Sequence, residues 1–148
     1  MSGSTATTSS TVFSIRCYCG AVTLQANAAP GSFVNCRCGQ CRRLSGAAFT
    51  SWASFAREAI PLSGNEPLTA FKVSDKVTRH FCRVCGSHVF TFDGRLPKIL
   101  GVPAGAIEGS SLAPPSAHYF VDHKAAWYDI GVGQPRFGGE SGVQPLAS

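Results

Sequence analysis

No apolar run in this chain approaches the roughly 18 to 20 residues that a helix needs to cross a bilayer, and its longest apolar stretches are broken every few residues by polar ones. A membrane-spanning protein is therefore not expected. The N-terminus, Met1-Ser2-Gly3-Ser4-Thr5-Ala6-Thr7-Thr8, lacks the apolar core of a secretory leader. Aromatic residues do not interleave with basic ones as a base-stacking platform would, and no recognition-helix pattern is visible, so no nucleic-acid partner is expected. Low-complexity sequence is confined to the two ends. What the chain does have is cysteine, seven in 148 residues. An odd count without a leader argues against a disulfide framework and for a reducing, cytoplasmic setting.

The cysteines fall as C-x-C-G at Cys17 and Cys19, C-x-C-G-x-C at Cys36, Cys38 and Cys41, and C-x-x-C-G at Cys82 and Cys85. Cysteines one or two residues apart are poorly placed to bridge each other, but two sulfurs on one short turn can point at a common ion. Four thiolates close a tetrahedral zinc site, whereas three leave a position for water or substrate. A division of four plus three thus predicts two zinc ions per chain, one structural and one catalytic. Thiolate sets of this kind also accept iron or cobalt.

The length suits one domain with its own core. Residues 1–11, nearly all Ser, Thr, Gly and Ala, cannot bury enough apolar surface to offset the entropy of ordering and are expected to form a disordered tail. Residues 138–148 have the same character and are expected to be a flexible tail, leaving a folded domain over 12–137. Within it, Val12–Tyr18 and Ala21–Ala26 alternate in polarity around Cys19-Gly20, and Lys72–Cys82 and His88–Phe92 do so around Cys85-Gly86. Both read as hairpin-like zinc knuckles. Gly20, Gly39 and Gly86 each follow a cysteine closely, where a turn around a metal needs positive φ. Frequent Gly and Pro keep the elements short and predict a mainly β fold. A brief helix is expected near Cys41–Leu44. Phe49, Trp52 and Phe55 sit at helical spacing, yet Thr50 and the aromatics favour a strand; they are expected in the core, with a pocket wall as the alternative.

The pairs Cys17/Cys19 and Cys82/Cys85 lie on hairpins far apart in sequence, so a shared zinc would staple the start of the sheet to its middle. Cys36, Cys38 and Cys41 can reach one ion from a single loop but lack a fourth ligand in their own segment. One of His80, His88, His118 or His123 could complete that site, which would make two closed structural metals and a binding module. The net charge of +5 is concentrated near the cysteines, with Arg37, Arg42 and Arg43 in the central run and Arg79 and Arg83 beside the last pair. These arginines either offset thiolate charge, form a solvated face, or grip an acidic small molecule through bidentate guanidinium contacts.

The run Cys36-Arg37-Cys38-Gly39-Gln40-Cys41-Arg42-Arg43-Leu44-Ser45-Gly46-Ala47-Ala48-Phe49, with Trp52, Arg79-His80-Phe81-Cys82-Arg83-Val84-Cys85-Gly86-Ser87, Ala117-His118-Tyr119-Phe120-Val121 and Ala126-Trp127, resembles the glutathione-dependent formaldehyde-activating enzyme family, which includes centromere protein V. The resemblance covers most of 12–137. It implies a β-tent fold of packed antiparallel sheets, a structural zinc on Cys17, Cys19, Cys82 and Cys85, and a catalytic zinc on Cys36, Cys38 and Cys41. Two positions depart from the family pattern: Arg37 stands where histidine is frequent, and Asp122-His123 replaces the more usual residues.

A zinc already holding three thiolates is electron-rich, and its softness favours an incoming sulfur over hydroxide generation. A thiol bound at the open position loses its proton. With glutathione and formaldehyde, thiolate addition gives S-(hydroxymethyl)glutathione, and the reverse is carbon–sulfur cleavage, which is lyase chemistry. Arg37, Arg42, Arg43 and His118 are candidate substrate contacts, and His118, His80 or Tyr119 candidate proton donors. Two other readings stand beside this one: the same scaffold acting on another small electrophile or natural-product intermediate without glutathione, and a non-catalytic zinc module.

Overall fold

The computed structural model describes residues 13–108, 112–131 and 133–147, and the expected tail over 1–11 lies outside them. Among the described residues, no helix is long and apolar enough to cross a membrane. The fold is mainly β. In chain order its elements are β1 (Phe13–Arg16), β2 (Thr23–Ala26), β3 (Ser32–Cys36), α1 (Gly39–Ser45), β4 (Thr50–Ala56), β5 (Leu68–Lys72), β6 (Val77–Cys82), β7 (His88–Asp93), β8 (Ile99–Pro103), β9 (Ile107–Glu108), β10 (Ala117–Tyr119), β11 (Phe137–Gly138) and β12 (Gln144–Pro145). The chain divides into two compact units, one of Met1–Gly31 with Ala53–Leu112 and one of Ser32–Trp52 with Ala113–Ser148.

In the first unit the two expected hairpins form. β1 pairs antiparallel with β2, Ile15 opposite Leu24 and Arg16 opposite Thr23, and β9 adds to the other edge of β1. Alternation decides which face is buried: Phe13 and Ile15 turn inward while Arg16 faces solvent. β5, β6, β7 and β8 follow one another antiparallel. Between β6 and β7 the register slips, His80 facing Phe90 and Phe81 facing His88, so Val89 is the extra residue of a bulge. Ile15, Ala53, Phe55, Leu100 and Val102 are at most 1% exposed and form the centre of this core. The Phe13 ring meets Phe55 edge-on at 6.0 Å, the geometry the ring quadrupoles prefer.

In the second unit, β10 lies parallel to β3, with Val34 opposite Ala117, Asn35 opposite His118 and Cys36 opposite Tyr119. This departs from the all-antiparallel expectation. A parallel pair needs a long crossover, and here the chain leaves through β4 and returns only at Ala113. The expected helix is present but longer, over Gly39–Ser45. The Cys38 side chain caps it by accepting from the Cys41 backbone N–H, and Gly46, at φ 71°, closes its C-terminus by donating to the Arg42 carbonyl. Phe49 precedes β4, while Trp52 and Phe55 lie on it, as the strand assignment expects.

The segment from 138 on, expected as a flexible tail, forms a short hairpin. Phe137 pairs with Pro145 and Gly138 with Gln144. Two glycines at positive φ, Gly139 and Gly142, turn the chain back, and the Gly142 carbonyl accepts from the Phe120 N–H at 3.0 Å. Few apolar side chains are required, because the Phe120 ring fills the space a Cβ at position 142 would occupy. Gly142→Ala is accordingly expected to destabilise the fold by about 1–3 kcal/mol through combined left-handed strain and overpacking, read as a lower urea midpoint at unchanged slope.

Candidate metal centres and their surroundings

The Sγ atoms of Cys17, Cys19, Cys82 and Cys85 all lie within 4.8 Å of one another. Cys19 Sγ is 3.7 Å from both Cys17 Sγ and Cys82 Sγ. A tetrahedron with zinc–sulfur bonds of about 2.3 Å has edges of about 3.8 Å, so these separations fit a shared metal, and they are far beyond disulfide length. Turn chemistry fixes them. Gly20 and Gly86 have φ of 82° and 81°, Gly20 N–H donates to the Cys17 carbonyl, and Gly86 N–H donates to that of Cys82. Backbone N–H groups point at sulfur: Val22 donates to Cys17 Sγ at 3.3 Å and Ala21 to Cys19 Sγ at 3.4 Å. Tyr18 N–H, donating to Ser87 Oγ at 3.0 Å, ties one knuckle to the other. The Ser87 hydroxyl also stabilises the Cys85 thiolate, lowering that thiol to about 5.

The second group, Cys36, Cys38 and Cys41, lies wholly in the second unit, with its sulfurs again within 4.8 Å of one another. Cys36 ends β3, Cys38 caps α1 and Cys41 lies in the first turn of the helix. The first negative charge of this loop settles on Cys38, because hydrogen bonds from Cys36 and Cys41 hold its thiol down at about 2. The same contacts, together with burial, push Cys36 up. Gly39 differs from Gly20 and Gly86: it is not at positive φ but opens the helix, and its lack of a side chain leaves room for Arg43, whose Nη1 would sit 2.6 Å from a Cβ there.

The histidines of this unit stand outside the sulfur group. His118, 6% exposed, turns its Nδ1 to Arg37 Nη1 at 2.8 Å. Since a guanidinium can only donate, Nδ1 is the acceptor and Nε2 carries the proton. Burial and the adjacent Arg37 charge lower His118 and keep it neutral. His123 faces the Phe120 ring at 5.4 Å. In the first unit, His80 stacks on Phe90 at 4.4 Å and His88 Nε2 is 2.8 Å from Thr91 Oγ1.

Of the central arginines, Arg43 is exposed and Arg42 half-buried on α1, whereas Arg37 is 2% exposed. Its guanidinium carbon lies 4.4 Å from the Phe49 ring centroid and 5.6 Å from that of Tyr128, and among the described residues its Nε has no partner. Burial lowers the Arg37 guanidinium, while the nearby Tyr128 and Cys36 side chains pull it back up. Trp52 is an addition that the sequence pattern did not single out as a sulfur partner: its Nε1–H donates to Cys41 Sγ at 3.4 Å. Eleven residues and a change of element separate the two, so no local spacing announces the contact. Tyr119 packs edge-on against Phe137 at 5.6 Å and lies opposite Cys36 in the strand register.

Comparisons with known proteins give the family of the chain. Residues 12–123 match the family profile described as glutathione-dependent formaldehyde-activating enzyme. A protein of Halomonas elongata that carries that name provisionally is 30% identical over 122 residues, covering 77% of this chain and 78% of its own length. The crystal structure of a Rhodobacter sphaeroides protein superposes with a TM-score of 0.55 at 25% identity, over 66% of this chain and 90% of the other.

Half-buried histidines give this protein a defined acid response. Burial, aided by the Arg79 charge, lowers His88 to about 4, and burial lowers His80 as well. Between that value and the ordinary one of about 6.5 the unfolded chain binds more protons than the folded one. The stabilisation is therefore complete above pH 6.5 and declines as pH falls towards 4, by up to about 3 kcal/mol for His88. Urea unfolding at pH 7 and pH 5 should show this loss in the wild type and a smaller one in His88→Gln.

Proposed function

The chain belongs to the glutathione-dependent formaldehyde-activating enzyme family, and from that we propose that it is a zinc-dependent carbon–sulfur lyase acting on the thiol adduct of a small aldehyde, such as S-(hydroxymethyl)glutathione. The observation that carries the reading is the contrast between two sulfur groups in one chain, one of four and one of three. Cys17, Cys19, Cys82 and Cys85 would hold a structural zinc, and Cys36, Cys38 and Cys41 a second zinc with a position left open. The donor set suits the metal: the sulfurs are already gathered and backbone N–H groups support the thiolates of the first group, while the N–H groups of Cys41 and Trp52 do so in the second. A zinc bound at the second group supplies a soft, open position where an incoming thiol gives up its proton.

The remaining chemistry belongs to side chains and substrate. In the forward direction the glutathione sulfur forms a bond to the formaldehyde carbon, the carbonyl π electrons pass to oxygen, and that oxygen takes a proton. In reverse the hydroxyl gives up its proton, its electrons re-form the carbonyl π bond, and the carbon–sulfur bond breaks with its electron pair returning to sulfur. The candidate proton donors of this unit are His118, whose Nε2 carries the proton while Nδ1 accepts from Arg37, and Tyr119, which lies opposite Cys36 in the strand register. Arg42 and Arg43 are the arginines on α1 available to substrate carboxylates; Arg37 is too deeply buried to meet them. A protein holding seven free thiols suits a reducing cytoplasm.

The burial of Arg37 also favours a second reading in which the substrate is a different small electrophile and glutathione is not used, since it removes one of three expected carboxylate contacts. Metal counting separates the readings. Zinc per chain should be about two, falling to one after mild chelation, and in cobalt-substituted protein glutathione should perturb the labile centre alone. A labile metal indifferent to glutathione favours the second reading, and two equally inert metals would sink both and leave a non-catalytic zinc module. Structural zinc in small domains contributes on the order of 10 kcal/mol to folding. Cys82→Ser is therefore expected to be insoluble or unfolded, while Cys41→Ser should fold, retain one zinc and lose activity.

A further inference from the structure

Arg37 is a cation in an unusual place. It lies between two of the three central cysteines, is 2% exposed, and faces two aromatic rings and the Nδ1 lone pair of a histidine. No carboxylate meets it: the ion pair found among the described residues, Arg95 with Asp93, is elsewhere. Among the described residues its Nε has no hydrogen-bond partner. Burying a charge is costly unless an opposite charge compensates it, and ring faces and a neutral imidazole offset only part of that cost. Ordinary packing would select a neutral side chain at this position.

Cys36 and Cys38 flank it in sequence and its charge interacts with that of Cys36, so with a metal bound the three thiolates would supply the missing anion. Three thiolates and a divalent ion sum to minus one, and the guanidinium brings the assembly to zero. We propose that Arg37 is the buried counter-charge of the three-thiolate metal centre, a positioning residue that acts through the ligand sulfurs and is itself held in place by His118, Phe49 and Tyr128. Fixed positive charge beside the loop makes thiolates easier to form and lessens the electron density they pass to the metal, so the open position keeps more Lewis acidity than three thiolates alone would leave it. His118 has a defined part in this. By accepting from Nη1 it fixes the guanidinium plane and, being neutral, adds no second charge that would drive the arginine out. The inference rests on the metal reading of Cys36, Cys38 and Cys41.

Two substitutions separate charge from shape. Arg37→Gln removes the charge but can still donate to His118 Nδ1, and Arg37→Lys keeps the charge on a different frame. Zinc affinity of the labile site is measured by chelator competition, with the zinc retained by the four-cysteine site and the thermal midpoint as folding controls. R37Q is expected to weaken the labile site by about tenfold to a hundredfold, the usual effect of losing a group that supports metal ligands. In the cobalt form its sulfur-to-cobalt band should move to longer wavelength, because unshielded thiolates give up electrons more readily. R37K should stay close to the wild type in both. Unchanged affinity and an unchanged band in R37Q would overturn the proposal, as would equal losses in R37Q and R37K, which would assign the effect to shape. Should R37Q fail to fold, R37K decides alone: retention of the labile zinc supports the counter-charge, and its loss overturns it. A wild type with no labile zinc removes the metal reading first and this inference with it, whereas a labile zinc held equally by all three proteins removes this inference only.

Discussion

Four sulfur atoms contributed by two hairpins converge to within 4.8 Å, and the geometry of the first unit depends on that convergence. Cys19 and Cys82 are 63 residues apart in sequence yet 3.7 Å apart in space. No apolar contact could hold so short and polar a junction. Tyr18 between one pair is 86% exposed and Val84 between the other is 68% exposed, so the knuckle tips contribute little burial. What fixes them is directional bonding: backbone N–H groups aimed at sulfur and positive-φ glycines that directly follow Cys19 and Cys85. The hydrophobic core of this unit is formed elsewhere, around Phe55 and Leu100.

The central loop uses the same element differently. Cys38 is both a sulfur of the group and the cap of α1, so the helix and the cluster are built by the same atom. Side-chain contacts with Cys36 and Cys41 lower the Cys38 thiol, and contacts with Cys38 and Cys41 together with burial raise that of Cys36; the backbone N–H of Cys41 adds a smaller lowering at Cys38. Around it the side chains are aromatic and cationic. Trp52 donates to sulfur, while Arg37 sits against Phe49 and Tyr128 with His118 behind it.

Much of this was readable from residue order. Cysteine spacing marked both groups because ligands of one turn must be neighbours in sequence, and polarity alternation around Cys19-Gly20 and Cys85-Gly86 marked the hairpins because strand side chains alternate. Other features depend on contacts that sequence does not display. Gly39 reads like Gly20 but is not at positive φ, and the group nearest to a Cβ there is the mobile end of the exposed Arg43 side chain. The C-terminal stretch has the composition of a solvated tail, and it is ordered because one aromatic ring, Phe120, fills the place of a missing Cβ. The parallel pairing of β10 with β3 is invisible to local pattern, since three-residue strands carry no sign of direction. Arg37 and His118 were each legible as candidates, but their partnership across 81 residues of chain was not.

The second unit is assembled from two stretches of chain, Ser32–Trp52 and Ala113–Ser148, and that interleaving has a consequence for biosynthesis. Arg37 precedes its partner His118 by 81 residues. At the usual elongation speed of roughly 5–20 residues per second, the cysteine loop emerges on the order of 5–15 s before the strand that will cover it. Over that interval the three thiols are open to the cell while the residues that later wall them in are still untranslated. The pairing of β10 with β3 and the contact of His118 with Arg37 therefore form only late in synthesis, after the cysteine loop has already been made.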